Sequence, residues 1–152
     1  MDSSTPADVV LVLNAGSSSL KFAMYASAGA LAWRALARGQ IEGIGTTPRM
    51  IVKAADGSLL PVPALASSVV DGRAALAFLV EWLKEAFAGA RIVGVGHRVV
   101  HGGLEFMEPT RVDAAILERL ERYVPLAPLH QPHNLAAIRL MLERLPGVPE
   151  IA

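Results

Sequence analysis

The residues able to do chemistry fall into three short stretches. The first, Asn14-Ala-Gly-Ser-Ser-Ser-Leu-Lys21, gathers an amide, a glycine, three hydroxyls and an ammonium. Backbone N–H groups and hydroxyls that converge where a glycine lets an anion approach suit phosphate. The spacing is not that of the G-x-x-x-x-G-K-[ST] loop, because no second glycine precedes Lys21 and no helical pattern follows. On composition alone the stretch is equally an ordinary hairpin turn. A phosphate site here has to be of the strand–loop–strand kind.

The second and third stretches are His97-Arg-Val-Val-His-Gly-Gly103 and Leu126-Ala-Pro-Leu-His130-Gln-Pro-His-Asn-Leu135. They hold all four histidines, as the pairs His97/His101 and His130/His133. A shared zinc ion does not fit the first pair: residues four apart on a strand lie ~13 Å apart. Gly94, Gly96, Gly102 and Gly103 argue against a helix that would bring them closer. Strand alternation puts Arg98 and Val100 on one face and His97, Val99 and His101 on the other. A guanidinium beside a branched aliphatic group can hold a small carboxylate, the arginine taking the charged end and the valine bordering the alkyl end. Pairing of Arg98 with a surface acid is the alternative.

Those residues need elements to hold them. Val9–Leu13 is apolar on both faces and reads as a strand inside a sheet covered on both sides. Beyond the Gly-containing turn, Ser19–Tyr25 alternates as a second strand. Leu31–Gln40 reads as a third strand and Met50–Ala54 as a fourth. Asp56-Gly57 is a hairpin turn leading to a short strand near Leu59. From about Asp71 to Ala88 the period changes, and Leu76, Leu79, Val80, Trp82, Leu83 and Phe87 make one broad helical face. Ile92–His101 returns to strand character. Gly94-Val-Gly96 falls short of a dinucleotide fingerprint, since the third glycine and the helix are absent. A helix near Asp113–Tyr123 buries Ile116, Leu117 and Leu120. Another follows with Pro132 in its first turn, burying Leu135, Ile138, Leu142 and Leu145. Glu150-Ile151-Ala152 opens a new strand.

Bulk properties narrow the function. The chain has 152 residues, enough for a core, and Lys plus Arg balance Asp plus Glu at 14 each. Near-zero net charge offers no case for nucleic acid or an anionic membrane as partner. No cysteine is present, which fits a reducing cytoplasm. The start, MDSSTPAD, lacks the basic and apolar regions of a secretory signal, and no apolar run reaches the ~20 residues that span a bilayer. Hydrophobic residues make up 53% and charged ones only 18%, with mean hydropathy +0.42. Alanine raises the first figure; a surface normally hidden against another body would do the same.

The three motifs, in this order, resemble the signatures of the acetate kinases and their propionate and butyrate kinase relatives. The resemblance implies an α/β fold: a mixed β-sheet with flanking helices, the N-terminal half of the actin-like ATPase core. Residues 1–8 read as a disordered leader, and the resemblance implies an N-terminal kinase domain over 9–152, ending before a second domain. The implied activity is reversible phosphoryl transfer from ATP to acetate, giving acetyl phosphate and ADP, with Mg²⁺. By that likeness Arg98 binds the carboxylate, Val100 and Leu129 border the methyl group, and His130 stabilises the phosphoryl group in transit. Asn14 would sit near the metal, and Ser17, Ser19 and Lys21 would hold phosphate oxygens of ATP. The family's next motif, Phe-Asp-Thr-Ala-Phe-His with its catalytic aspartate, would begin beyond Ala152, as would a further histidine and arginine and a metal-binding glutamate. The chain is thus expected to be an N-terminal fragment, inactive alone, of a cytoplasmic homodimeric enzyme. A propionate or other short-chain fatty acid kinase, or a non-catalytic binding module, are the alternatives. An actin- or chaperone-type ATPase fits less well, having an aspartate where Asn14 stands and no counterpart of the Arg98 motif.

Overall fold

The computed structural model describes residues 7–30, 32–65 and 67–152. Its frame is one six-stranded sheet. The strands are β1 (Asp8–Ala15), β2 (Ser19–Ser27), β3 (Trp33–Glu42), β4 (Arg49–Ala54), β5 (Arg91–His97) and β6 (Glu150–Ile151). They lie in the order β4-β3-β2-β1-β5-β6. The first four form an antiparallel meander. β5 pairs parallel with β1, and β6 parallel with β5. The sheet is therefore mixed, and parallel neighbours require helical crossovers. Helix α1 (Gly72–Ala86) makes the first, and α2 (Ala114–Glu121) and α3 (Gln131–Arg144) make the second.

Both helices that touch the sheet pack on one face. Val9, Leu11 and Leu13 of β1 and Leu20, Phe22 and Met24 of β2 meet Leu76, Leu79, Val80 and Leu83 of α1 and Leu140 and Met141 of α3 in one core. A smaller cluster, Val112, Leu117, Leu120, Leu135 and Ile138, joins α2 to α3. Each helix begins where the sequence places it. Asp71 caps α1 by accepting from the Ala74 amide at 2.8 Å, and Asp113 caps α2 through the Ile116 amide at 2.8 Å. Pro132 occupies the first turn of α3.

Several expectations need correction. β1 is covered on one side only: on the opposite face Val12 is 39% exposed and Ile51 of β4 is 48% exposed. A run apolar on both faces records low polarity, not two packed layers. The strand expected over Ile92–His101 stops at His97, because the amides of Val100 and His101 bond to side chains of α3 instead of a neighbouring strand. The alternation assigned to Arg98 and Val100 therefore does not hold there. β3 runs two residues further than expected, to Glu42, and Leu31 lies outside the described residues. The strand near Leu59 is only an isolated bridge to Lys53. Residues 1–6 of the expected leader also lie outside the described residues, whereas Asp8 belongs to β1 and is gripped by Arg91 at 2.7 Å.

Gly39 of β3 sits on the core face, and Phe22 lies across it. A Cβ there would come within 2.7 Å of both the Phe22 ring and the Ile51 carbonyl oxygen. Gly39→Ala is expected to lower unfolding free energy by roughly 1–3 kcal/mol. Urea denaturation of the two proteins measures it.

Candidate active site

The serine-rich loop forms because β1 and β2 must turn back within three residues. The Gly16 amide closes the turn on the Ser19 carbonyl at 2.8 Å. The Ile44 amide buttresses it from the β3–β4 loop, donating to the Ser18 carbonyl at 3.1 Å. Asn14 and Lys21 stand directly opposite each other in the antiparallel register. Ser17 and Lys21 are exposed, and Ser19 is half-buried. Ser17 and Ser19 also border a cleft of about 410 Å³ between the loop and the starts of α1 and α3, with Asp71, Arg73 and His133 on its far side. Lys21, Arg98 and His130 lie outside that cleft.

Arg98 stands next to this loop. The parallel ladder pairs Leu13 with His97, and the Arg98 amide continues it by donating to the Leu13 carbonyl at 3.0 Å. One further step of the register sets Arg98 beside Asn14, across the ~4.8 Å that separates neighbouring strands. The chain then swings away through Val99–His101 toward Gly102 and Gly103. The expected juxtaposition of the serine loop and the Arg98 motif therefore exists at the level of the backbone.

The third motif reaches the same place from the helical side. His130 is the residue preceding α3, with its carbonyl accepting from the His133 and Asn134 amides at 3.2 Å each. Its imidazole makes no cap bond, so it stands at the positive end of the helix. Leu129 beside it is 75% exposed. Among the described residues, the side chains of Asn14, Ser17, Ser19, Lys21, Arg98 and His130 enter no hydrogen bond or ion pair. No acid among the described residues pairs with Arg98. Lys21 and Arg98 thus present two uncommitted cations, and His130 a free imidazole, around the ends of adjacent strands. That arrangement can receive an anion with oxygens at more than one point.

The buried amides nearby are engaged by comparison. Gln131 and Asn134, both in the first turn of α3, are 0% and 3% exposed. Gln131 takes the His101 amide at 3.2 Å and returns a bond to the His101 carbonyl at 2.8 Å. Asn134 takes the Val100 amide at 3.1 Å and donates to the Ala15 carbonyl at 2.6 Å. One layer down, His97 meets Glu150 of β6 at 2.8 Å, with both side chains almost wholly buried. The residues offer little for a divalent cation. Asn14 supplies one amide oxygen, and among the described residues no three carboxylate, imidazole or thiolate groups cluster to hold a metal.

Comparison with known families matches residues 9–152 to the acetokinase family. The chain belongs to that family. Within it, the acetate kinase of Rhizobium meliloti is 47% identical over 95% of this chain, and that of Nitrobacter hamburgensis 42% over 95%. The chain spans 37% and 36% of the lengths of those two relatives. Among solved acetokinase-type structures, a propionate kinase from Francisella tularensis superposes with TM-score 0.75 at 31% identity. The Porphyromonas gingivalis acetate kinase superposes with TM-score 0.75 at 29% identity. Each covers 95% of this chain, which accounts for 36% of the solved one. The fold is accordingly the N-terminal part of the actin-like ATPase core of these kinases.

The sequence singles out the residues at the surface of this candidate site but not Gln131 and Asn134, which bond its segments together. A signal was present. Positions 131, 134 and 138 follow the i, i+3, i+7 spacing of the buried stripe of α3, so two amides occupy places where an apolar side chain belongs.

Two outcomes follow from the charged groups around the site. Removing His97 leaves a buried Glu150 oxygen without its hydrogen-bond partner, so His97→Ala is expected to cost about 1–3 kcal/mol in a urea melt. In the loop after Gly103, Glu105 is held below the ordinary carboxylate range by hydrogen bonds from Arg119 first and from the Tyr123 hydroxyl second, the latter at 3.0 Å. The tether therefore contributes fully above the unfolded value of about 4.3 and fades as pH falls through the lower folded one. Amide exchange over residues 103–107 should accelerate across that acidic window in the native protein, and Glu105→Gln should abolish the transition.

Proposed function

We propose that this chain forms the acid-binding and phosphate-binding wall of an acetate kinase, which moves the γ-phosphoryl group of ATP to acetate. The observation that carries the reading is that the Arg98 amide bonds to the Leu13 carbonyl and Asn134, one turn after His130, to the Ala15 carbonyl, which ties all three motifs to the end of β1. In this reading Arg98 grips the acetate carboxylate through two N–H donors, leaving one carboxylate oxygen to attack. Val100 and Leu129 border the methyl group. Ser17, Ser19 and Lys21 hold phosphate oxygens of ATP, and Asn14 lends one amide oxygen toward the magnesium that accompanies the nucleotide.

The chemistry asks mainly for alignment and for charge against spreading charge. An acetate oxygen forms a bond to the γ-phosphorus while the bond from that phosphorus to the β-bridging oxygen breaks, giving acetyl phosphate and ADP. No proton needs to move between the two oxygens, so the segment's task is in-line positioning. His130, at the positive end of α3, donates to an equatorial oxygen of the phosphoryl group in transit. The opposing wall, including a carboxylate set for the metal and the adenosine site, belongs to the remaining two-thirds of the relatives' length. We assign the whole enzyme to the cytoplasm as a homodimer, in keeping with a cysteine-free chain and a sheet face left partly exposed.

Propionate is the second reading, since a propionate kinase is among the structural neighbours. With Leu129 75% exposed, the pocket is open at this wall. One methylene alters selectivity by only ~1–3 kcal/mol in such a pocket.

In the complete polypeptide that carries this segment, Arg98→Ala is expected to raise KM for acetate roughly 10- to 100-fold, the loss of a charge-assisted clamp. Steady-state acetyl phosphate formation measures it, and an unchanged KM would refute the carboxylate role. The purified 152-residue chain is expected to form no acetyl phosphate from ATP and acetate. A hydroxamate assay checks this, and turnover by the chain alone would overturn the need for a second wall.

A further inference from the structure

The Asn134 side chain is unusual in what it joins. Its oxygen accepts from the Val100 amide at 3.1 Å, and its nitrogen donates to the Ala15 carbonyl at 2.6 Å. The partners fix which end is which, because a backbone N–H only donates and a carbonyl only accepts. Ala15 lies between Asn14 and the serine loop, and Val100 follows Arg98 by two. His130, four residues earlier, receives the Asn134 amide. One planar, buried side chain therefore joins two of the segments around which the site is built, and the backbone of the same residue is bonded to the third. Gln131 holds only one of them, the His101 peptide, apart from a longer 3.4 Å contact to the Leu120 carbonyl.

We propose that Asn134 is a positioning residue that fixes the distance between the phosphate-binding loop and the acid-binding segment. The proposal rests on the kinase reading above for its catalytic consequence, but the mechanical coupling stands on the hydrogen bonds alone. Neither β1 nor β5 provides an equivalent link: the ladder between them ends with the Arg98 amide on Leu13. Beyond that point the loop and the Val99–His101 segment diverge, and the Asn134 amide spans the gap. The attacking oxygen and the phosphorus are held by opposite sides of that gap, so its width sets their approach. A misplacement of about 1 Å in such an approach costs on the order of 100-fold in rate.

Two variants separate the two ends of the amide. Asn134→Asp keeps the shape and the acceptor for Val100 but removes the donor to Ala15, whereas Asn134→Ala removes both. Amide hydrogen exchange on the 152-residue chain is expected to show the Gly16 amide exchanging at least tenfold faster in both variants. The Val100 amide should be freed only in Asn134→Ala. Wild-type rates at Gly16 in either folded variant would overturn the coupling; if Asn134→Ala does not fold, Asn134→Asp decides. In the complete polypeptide, Asn134→Asp should lower kcat about 100-fold with KM for acetate within about threefold of wild type. A KM that rises while kcat stays unchanged would overturn positioning in favour of direct binding. Should the wild-type polypeptide make no acyl phosphate at all, the kinase reading fails, while the exchange measurement still decides the coupling.

Discussion

β1 and β5 run side by side in the same direction, and no tight turn can connect such neighbours. Between them the chain builds the rest of the meander and the whole of α1, then returns to lay β5 against β1 with Leu13 opposite His97. That one parallel pairing decides where everything else goes. It ends both strands at the same edge, so the turn that leaves β1 and the segment that leaves β5 emerge together. It also forces a second crossover to β6, and this crossover carries α3 and His130 back toward the same edge. Open α/β sheets place their ligands at the carboxyl ends of parallel strands for this reason.

The site that results has two layers of polar chemistry with opposite character. Nearest the core, Gln131, Asn134, His97 and Glu150 are buried and bonded almost to capacity; only one carboxylate oxygen of Glu150 lacks a partner. Above them, the side chains of Asn14, Ser17, Lys21, Arg98 and His130 make no hydrogen bond among the described residues. Burial makes an unmade hydrogen bond costly, so the lower layer has one arrangement. The upper layer carries no such cost, because exposed donors are satisfied by water. Rigidity below and availability above are separate jobs given to separate residues.

Much of this was legible in the residues. The alternation of Ser19–Tyr25, the helical periods that begin near Asp71 and Asp113 and the proline opening α3 all act over a few positions, and each was readable for that reason. The boundaries that misled depended on partners distant in sequence. His101 reads as the end of a strand until Gln131 takes both polar groups of its peptide in place of a ladder. Val12 reads as interior because its side chain is apolar, yet both helices chose the other face. Among the site residues, the exposed ones carried a recognisable pattern, whereas Asn134 matters through backbone atoms 34 and 119 positions away. No local rule reaches that far.

The amides of α3 bind carbonyl oxygens and N–H groups of the adjoining loops and leave the loops' side chains alone. Every amino acid except proline brings the same backbone groups, so the anchoring is indifferent to which side chains line the pocket. Val100, for one, is held through its backbone N–H, and its side chain takes no part in the anchoring. A loop held in this way keeps its spacing when its side chains change.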